Sequence, residues 1–67
     1  MVLNGQYFAN EIIERMWFSN KKANFDDGSR SEYAVVNIKR GGSYNVKCSS
    51  LQYEEALMRL EKERHEK

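Results

Sequence analysis

The chain has 67 residues, of which 40% are apolar and 31% charged, and its formal net charge is +1. This composition is typical of one small folded domain (residues 1–67) and argues against a disordered chain, a membrane span and a strongly basic nucleic-acid binder. A single cysteine and a single histidine rule out an internal disulfide and a Cys/His zinc site, so no metal or cofactor is expected.

The first predicted element is a helix from about Gly5 to Ser19, with Asn4 as its N-cap. At 100° per residue, one half of the helical wheel collects the apolar side chains of Phe8, Ala9, Ile12, Ile13, Met16 and Trp17. Tyr7 and Phe18 fall on the polar half. The segregation predicts an amphipathic helix that packs one face on a core.

A short strand is predicted over 21–26, because Asp27-Gly28 is a hairpin turn pair. In that register Phe25 pairs with Arg30 and Ala23 with Glu32, and Phe25 joins the inward face of the next strand. The strand residues are polar, however, so the order is α-β-β-β-α with this strand and α-β-β-α without it.

The second hairpin is predicted to turn at Arg40-Gly41-Gly42, with Gly42 in the left-handed conformation. In this register Ile38 faces Tyr44, Val36 faces Val46 and Ala34 faces Cys48. It segregates apolar and polar side chains, which a one-residue slip would mix. The outward face then carries Tyr33, Val35, Asn37, Lys39, Ser43, Asn45, Lys47 and Ser49.

A second helix is predicted to start at Ser49 or Ser50, since Ser49 and Gln52 fit a capping box. Its apolar stripe is Tyr53, Ala56, Leu57 and Leu60, and its charged end, 61–67, is expected to fray. The predicted fold is therefore a small two-layer α+β domain, with two helices packed on one face of an antiparallel meander.

Few residues suit catalysis. Cys48 and His65 are the only nucleophile and base of the usual kind, but Cys48 is predicted to point inward and His65 to lie on the fraying end. Asp27-Gly28 and Gly41-Gly42 suit turns better than ion or phosphate loops. The sequence therefore predicts a non-enzymatic protein.

Large apolar side chains exceed what one small core can bury, and exposed clusters of this kind typically bind proteins. The predicted partner-binding residues are Trp17, Phe18, Tyr7, Met58 and Leu51, with self-association as a homodimer open. The alternative is that the N-terminal segment covers these side chains, or that they are exposed singly.

Small size and the lack of motifs suggest a regulator or inhibitor from a phage or mobile element that binds a host protein by occlusion. Without a signal peptide or a membrane span, a cytoplasmic location is expected.

A nucleic-acid-binding function is the second hypothesis. Aromatic and basic side chains on a sheet face can stack bases and hold phosphates. The residues that would do so are Lys39, Arg40, Lys47, Tyr33, Lys21 and Lys22. The same pattern also suits an ordinary solvated face in which lysines discourage aggregation.

Overall fold

The computed structural model describes residues 1–65 and has an α+β fold with a three-stranded antiparallel sheet and one helix. Its elements are β1 (Val2–Leu3), β2 (Gln6–Tyr7), a 3-10 turn (Asn10–Ile12), β3 (Ile13–Asn24), β4 (Arg30–Ile38), β5 (Gly42–Lys47) and α1 (Ser50–His65). β1 and β2 pair as a separate small hairpin, and the main sheet has the order β3-β4-β5. The predicted fraying over 61–67 lies partly outside the described residues.

The predicted N-terminal helix is wrong, and so are both predicted orders, α-β-β-β-α and α-β-β-α, because the structure has one helix over residues 1–65. Residues 5–19 instead form β2, the 3-10 turn and the first half of β3. Asn4 and Gly5, with φ of 48° and 83°, form a tight turn between β1 and β2, so Asn4 is not an N-cap. Asn-Gly is the pair most favoured in a two-residue hairpin turn with positive φ at both positions. The Asn4-Gly5 pair is therefore a sequence signal for this hairpin turn.

A bulge in β3 explains why the strand resembled a helix. Ile13 lies opposite Ile38 and Arg15 opposite Asn37, which leaves Glu14 as an extra residue. The extra residue turns Ile13 and Met16 to the same side of the sheet, where a regular strand would place them on opposite sides. A spacing of three on one face is also the spacing of a helix. In the regular part of the strand, Arg15 and Trp17 point away from the core, and Met16 and Phe18 point toward it.

The predicted strand over 21–26 exists as the end of β3, with its register shifted by one residue. Ala23 pairs with Ser31 rather than Glu32, and Asn24, not Phe25, pairs with Arg30. The loop has three residues between Phe25 and Ser29, and its Gly28 has φ of 85°. The shift corrects the position of Phe25, whose ring packs against Tyr33 on the outward face of the sheet.

The β4–β5 hairpin keeps its predicted faces although its register moves by two residues. Ile38 pairs with Gly42, Val36 with Tyr44 and Ala34 with Val46. Because side chains alternate with a period of two, a shift of two preserves which of them point inward. Gly42 is left-handed as predicted, with φ of 84°.

The core lies between α1, the β1–β2 hairpin and one face of the sheet. Its buried residues are Met1, Leu3, Phe8, Ile13, Ala34, Val36, Val46, Cys48, Ala56 and Leu60. The predicted capping box is confirmed, since Ser49 N–H donates to Gln52 Oε1 (2.9 Å) and Gln52 N–H to Ser49 Oγ (3.2 Å). Gln52 also donates to Asn4 Oδ1 (3.1 Å), which ties the start of α1 to the N-terminal turn.

Candidate protein-binding face

The side of the sheet away from α1 is covered by no other element of the described residues, and we call it the outer face. Three cross-strand rows build it. They are Arg15–Asn37–Ser43, Trp17–Val35–Asn45 and Tyr33–Lys47, with Phe25 at the side of the last row. Apolar side chains therefore occupy the middle of the face, and polar groups surround them.

Trp17 is the largest side chain on the outer face and is 40% exposed. The guanidinium carbon of Arg15 lies 5.4 Å from the centre of its ring. A cation in this position is attracted by the electrons of the ring, and its stem covers part of the indole. Among the described residues no carboxylate forms an ion pair with Arg15. The face thus presents an aromatic ring beside a positive charge.

Hydrogen bonds hold the polar side chains around this centre. Ser43 Oγ donates to Asn37 Oδ1 (2.6 Å), and Lys47 Nζ donates to Asp27 (3.1 Å) and to Ser29 (2.7 Å). Hydrogen bonds from the hydroxyl and backbone N–H of Ser29, together with Lys47, hold the pKa of Asp27 well below its usual range. Side chains fixed before binding lose less entropy when a partner arrives.

The five residues predicted to bind a partner do not share one surface. Trp17 lies on the outer face, whereas Phe18 points to the core side, where its ring packs 5.6 Å from that of Tyr53. Tyr7 is exposed on β2, and Leu51 and Met58 are exposed on α1. The structure thus places Trp17 apart from the other four.

Of the residues proposed to bind nucleic acid, Tyr33 and Lys47 are brought together as a cross-strand pair. Lys39 and Arg40 lie in the turn between β4 and β5, and Lys21 and Lys22 lie in the second half of β3. Lys39 is six positions after Tyr33, a distance of about 20 Å along an extended strand. The basic side chains are therefore spread along the sheet, while Trp17, Tyr33 and Lys47 share the outer face.

The contribution of β3 to this face is not predicted from the sequence. The helix predicted over 5–19 separates Arg15 and Trp17 from Tyr33 and Val35 of the hairpin, whereas the structure brings them together. Residues 15–18 show no polar–apolar alternation, because Met16, Trp17 and Phe18 are all apolar. The sequence signal for β structure nearby is the Asn4-Gly5 turn pair.

Cys48 is buried and points inward as predicted, and this burial raises the pKa of its thiol. A raised pKa leaves little of the nucleophilic thiolate at neutral pH. The side chain of His65 lies outside the described residues. Within 1–65, no group of three or more His, Cys, Asp or Glu side chains is placed to hold a metal ion. None of the helical structure described is long and apolar enough to cross a membrane.

Neither a protein-family model, nor a curated protein, nor a solved structure matches this chain.

Proposed function

We propose that this chain is a non-catalytic protein-interaction module that binds a partner protein through its outer face. The observation that carries the proposal is the half-exposed Trp17 at the centre of an uncovered sheet face, with Arg15 above it. Tryptophan and arginine are enriched among the residues that contribute most to protein interfaces. We further propose that the chain is a regulator or inhibitor of phage or mobile-element origin that binds a host protein by occlusion, because it is small and carries no recognisable motif.

The chemistry of the outer face indicates what the partner supplies. An apolar side chain would pack on Trp17 and Val35, and a carboxylate would meet the guanidinium of Arg15, which has no ion pair within residues 1–65. The hydrogen-bonded side chains of Asn37, Ser43 and Lys47 would form a polar rim around this centre. An apolar centre within a polar rim is the usual arrangement of a protein–protein contact.

The accessible surface of the chain is larger than that of a typical compact monomer of its mass. It measures 5034 Å², whereas a compact monomer of 7.9 kDa exposes about 4,400 Å². The excess is about 600 Å². A partner seated on the outer face would remove much of this excess.

Affinity capture from a host-cell lysate with three forms of the chain tests the proposal. The wild type and Met58→Ala should retain the same partner, since Met58 lies on α1, away from the sheet. Trp17→Ala should weaken the purified complex at least about 30-fold, as expected for a central interface residue. Circular dichroism of each variant checks that the fold is intact.

Two results would contradict this assignment. If folded Trp17→Ala retains the partner and Met58→Ala loses it, the binding surface is on α1 and not on the sheet. If every captured species disappears after nuclease treatment, the protein binds nucleic acid, either directly or through a ribonucleoprotein.

Nucleic-acid binding stays a second proposal because Tyr33 and Lys47 are neighbours on the same face. Lys47 already pairs with Asp27, so a phosphate would have to compete with that carboxylate. Binding through phosphates weakens steeply with salt. Titration with single- and double-stranded oligonucleotides at two salt concentrations tests it, and absence of binding at low salt would refute it.

A further inference from the structure

β3 is an edge strand of the sheet, and it carries the run Met16-Trp17-Phe18. Arg15 to Phe18 pair regularly with β4 between two irregularities. An edge strand with apolar side chains and unpaired backbone groups is a template for another strand. We propose that this edge pairs antiparallel with β3 of a second copy of the chain.

The hydrogen bonds of β4 show which groups of β3 face the free edge. The N–H of Cys48 donates to the carbonyl of Glu32, so the even-numbered residues of β4 bond toward β5. Val35, an odd-numbered residue, therefore bonds toward β3, and its pair is Trp17. Because successive residues of a strand direct their N–H and C=O groups to opposite sides, those of Met16 and Phe18 point away from β4, toward the free edge.

A side-chain contact agrees with this orientation. The hydroxyl of Tyr53 on α1 donates to the carbonyl of Met16 at 3.4 Å, a contact that suits a carbonyl directed away from β4. That long bond leaves the second lone pair of the oxygen available. Met16 can then pair with Phe18 of a second copy, and Phe18 can pair with Met16 of that copy. The two Trp17 side chains face each other at the two-fold axis.

The charges along β3 suit an antiparallel copy. Glu14 lies on one side of the apolar run, and Lys21 and Lys22 lie on the other side. An antiparallel partner places its two lysines near Glu14, and this attraction occurs twice across the axis. A parallel partner would set like charges side by side. The edge is thus complementary to itself in one direction only.

Pairing of this kind would also enlarge the outer face, an argument that rests on the proposed function above. Three strands span about 14 Å by about 25 Å, or roughly 350 Å², whereas a stable interface takes about 800 Å² from each partner. Two sheets joined through β3 offer a continuous six-stranded face of about 700 Å². The assembled pair therefore presents nearly the area that a stable contact uses.

Charge exchange tests the pairing with Trp17 in place. In sedimentation over a concentration series, the wild type should show reversible dimers. Glu14→Lys should raise the dimer dissociation constant about tenfold, and adding Lys21→Glu and Lys22→Glu should restore it. A wild type that remains monomeric over the whole series, or a Glu14→Lys variant that dimerises normally, would overturn the proposal.

Cysteine cross-linking locates the contact independently. Opposed residues in a pair without mutual hydrogen bonds have Cα atoms about 4.5 Å apart, which a disulfide can span. Trp17→Cys should therefore cross-link on oxidation. Val35→Cys should not cross-link, because Val35 lies one strand further in on each copy, about 14 Å from its equivalent. Cross-linking of Val35→Cys alone would mean that the sheets pack face to face, which contradicts edge pairing. Glu14→Lys leaves Trp17 intact. Affinity capture of the partner protein with this variant therefore tests the proposed function separately from dimerisation.

Discussion

Replacing Leu3 by alanine tests whether the N-terminal hairpin is an integral part of the core. Leu3 is 0% exposed and belongs to the largest fully buried side chains of the chain, although β1 has only two residues. Removing a buried leucine side chain costs the lost transfer free energy and leaves a cavity, in total about 2–5 kcal/mol. A chain of this length has a free energy of unfolding of about 3–10 kcal/mol. Leu3→Ala is therefore expected to remove a large part of the stability.

Urea unfolding followed by circular dichroism measures this loss. With a slope of about 1 kcal/mol per molar urea, typical of the smallest domains, the midpoint should fall by about 2 M or more. Leu51→Ala is the matched control, because it deletes the same atoms from a side chain that is 66% exposed on α1. That substitution should change the free energy of unfolding by less than about 0.5 kcal/mol. If the two variants unfold at the same midpoint, the hairpin is not seated in the core.

Three further predictions concern single contacts. Ser49→Ala should lower the free energy of unfolding by about 1 kcal/mol through loss of the capping bond, with Ser50→Ala as the control in the same urea titration. Because the pKa of Asp27 is depressed in the fold, its stabilising contribution is complete above about pH 4 and is lost as the pH falls toward the depressed value. Asp27→Asn should therefore make the urea midpoint less sensitive to acid between pH 5 and pH 2, and an unchanged acid dependence would contradict the assignment. Cys48 should react with a thiol reagent only as fast as the protein opens, since the thiol is buried and its pKa is raised, and fast labelling of the native chain would contradict its position.

The sequence by itself determined those parts of the fold whose signals are local. The capping box at Ser49 and Gln52 depends on residues three apart, so it marked the start of α1 correctly. The faces of β4 and β5 follow from strict alternation along each strand, and they survived an error of two residues in the register. Gly42 has the left-handed conformation that its turn requires.

Only the tertiary structure decided what β3 is. Its apolar residues fit a helical spacing because the bulge at Glu14 changes the alternation, and only pairing with β4 shows that extra residue. The position of Trp17 depends on this strand structure, because a strand places Trp17 on the opposite side from Phe18 and next to Val35. Isolated helix and strand preferences differ by less than the free energy gained in packing, so the partner strand, rather than the local sequence, selected the structure of this segment.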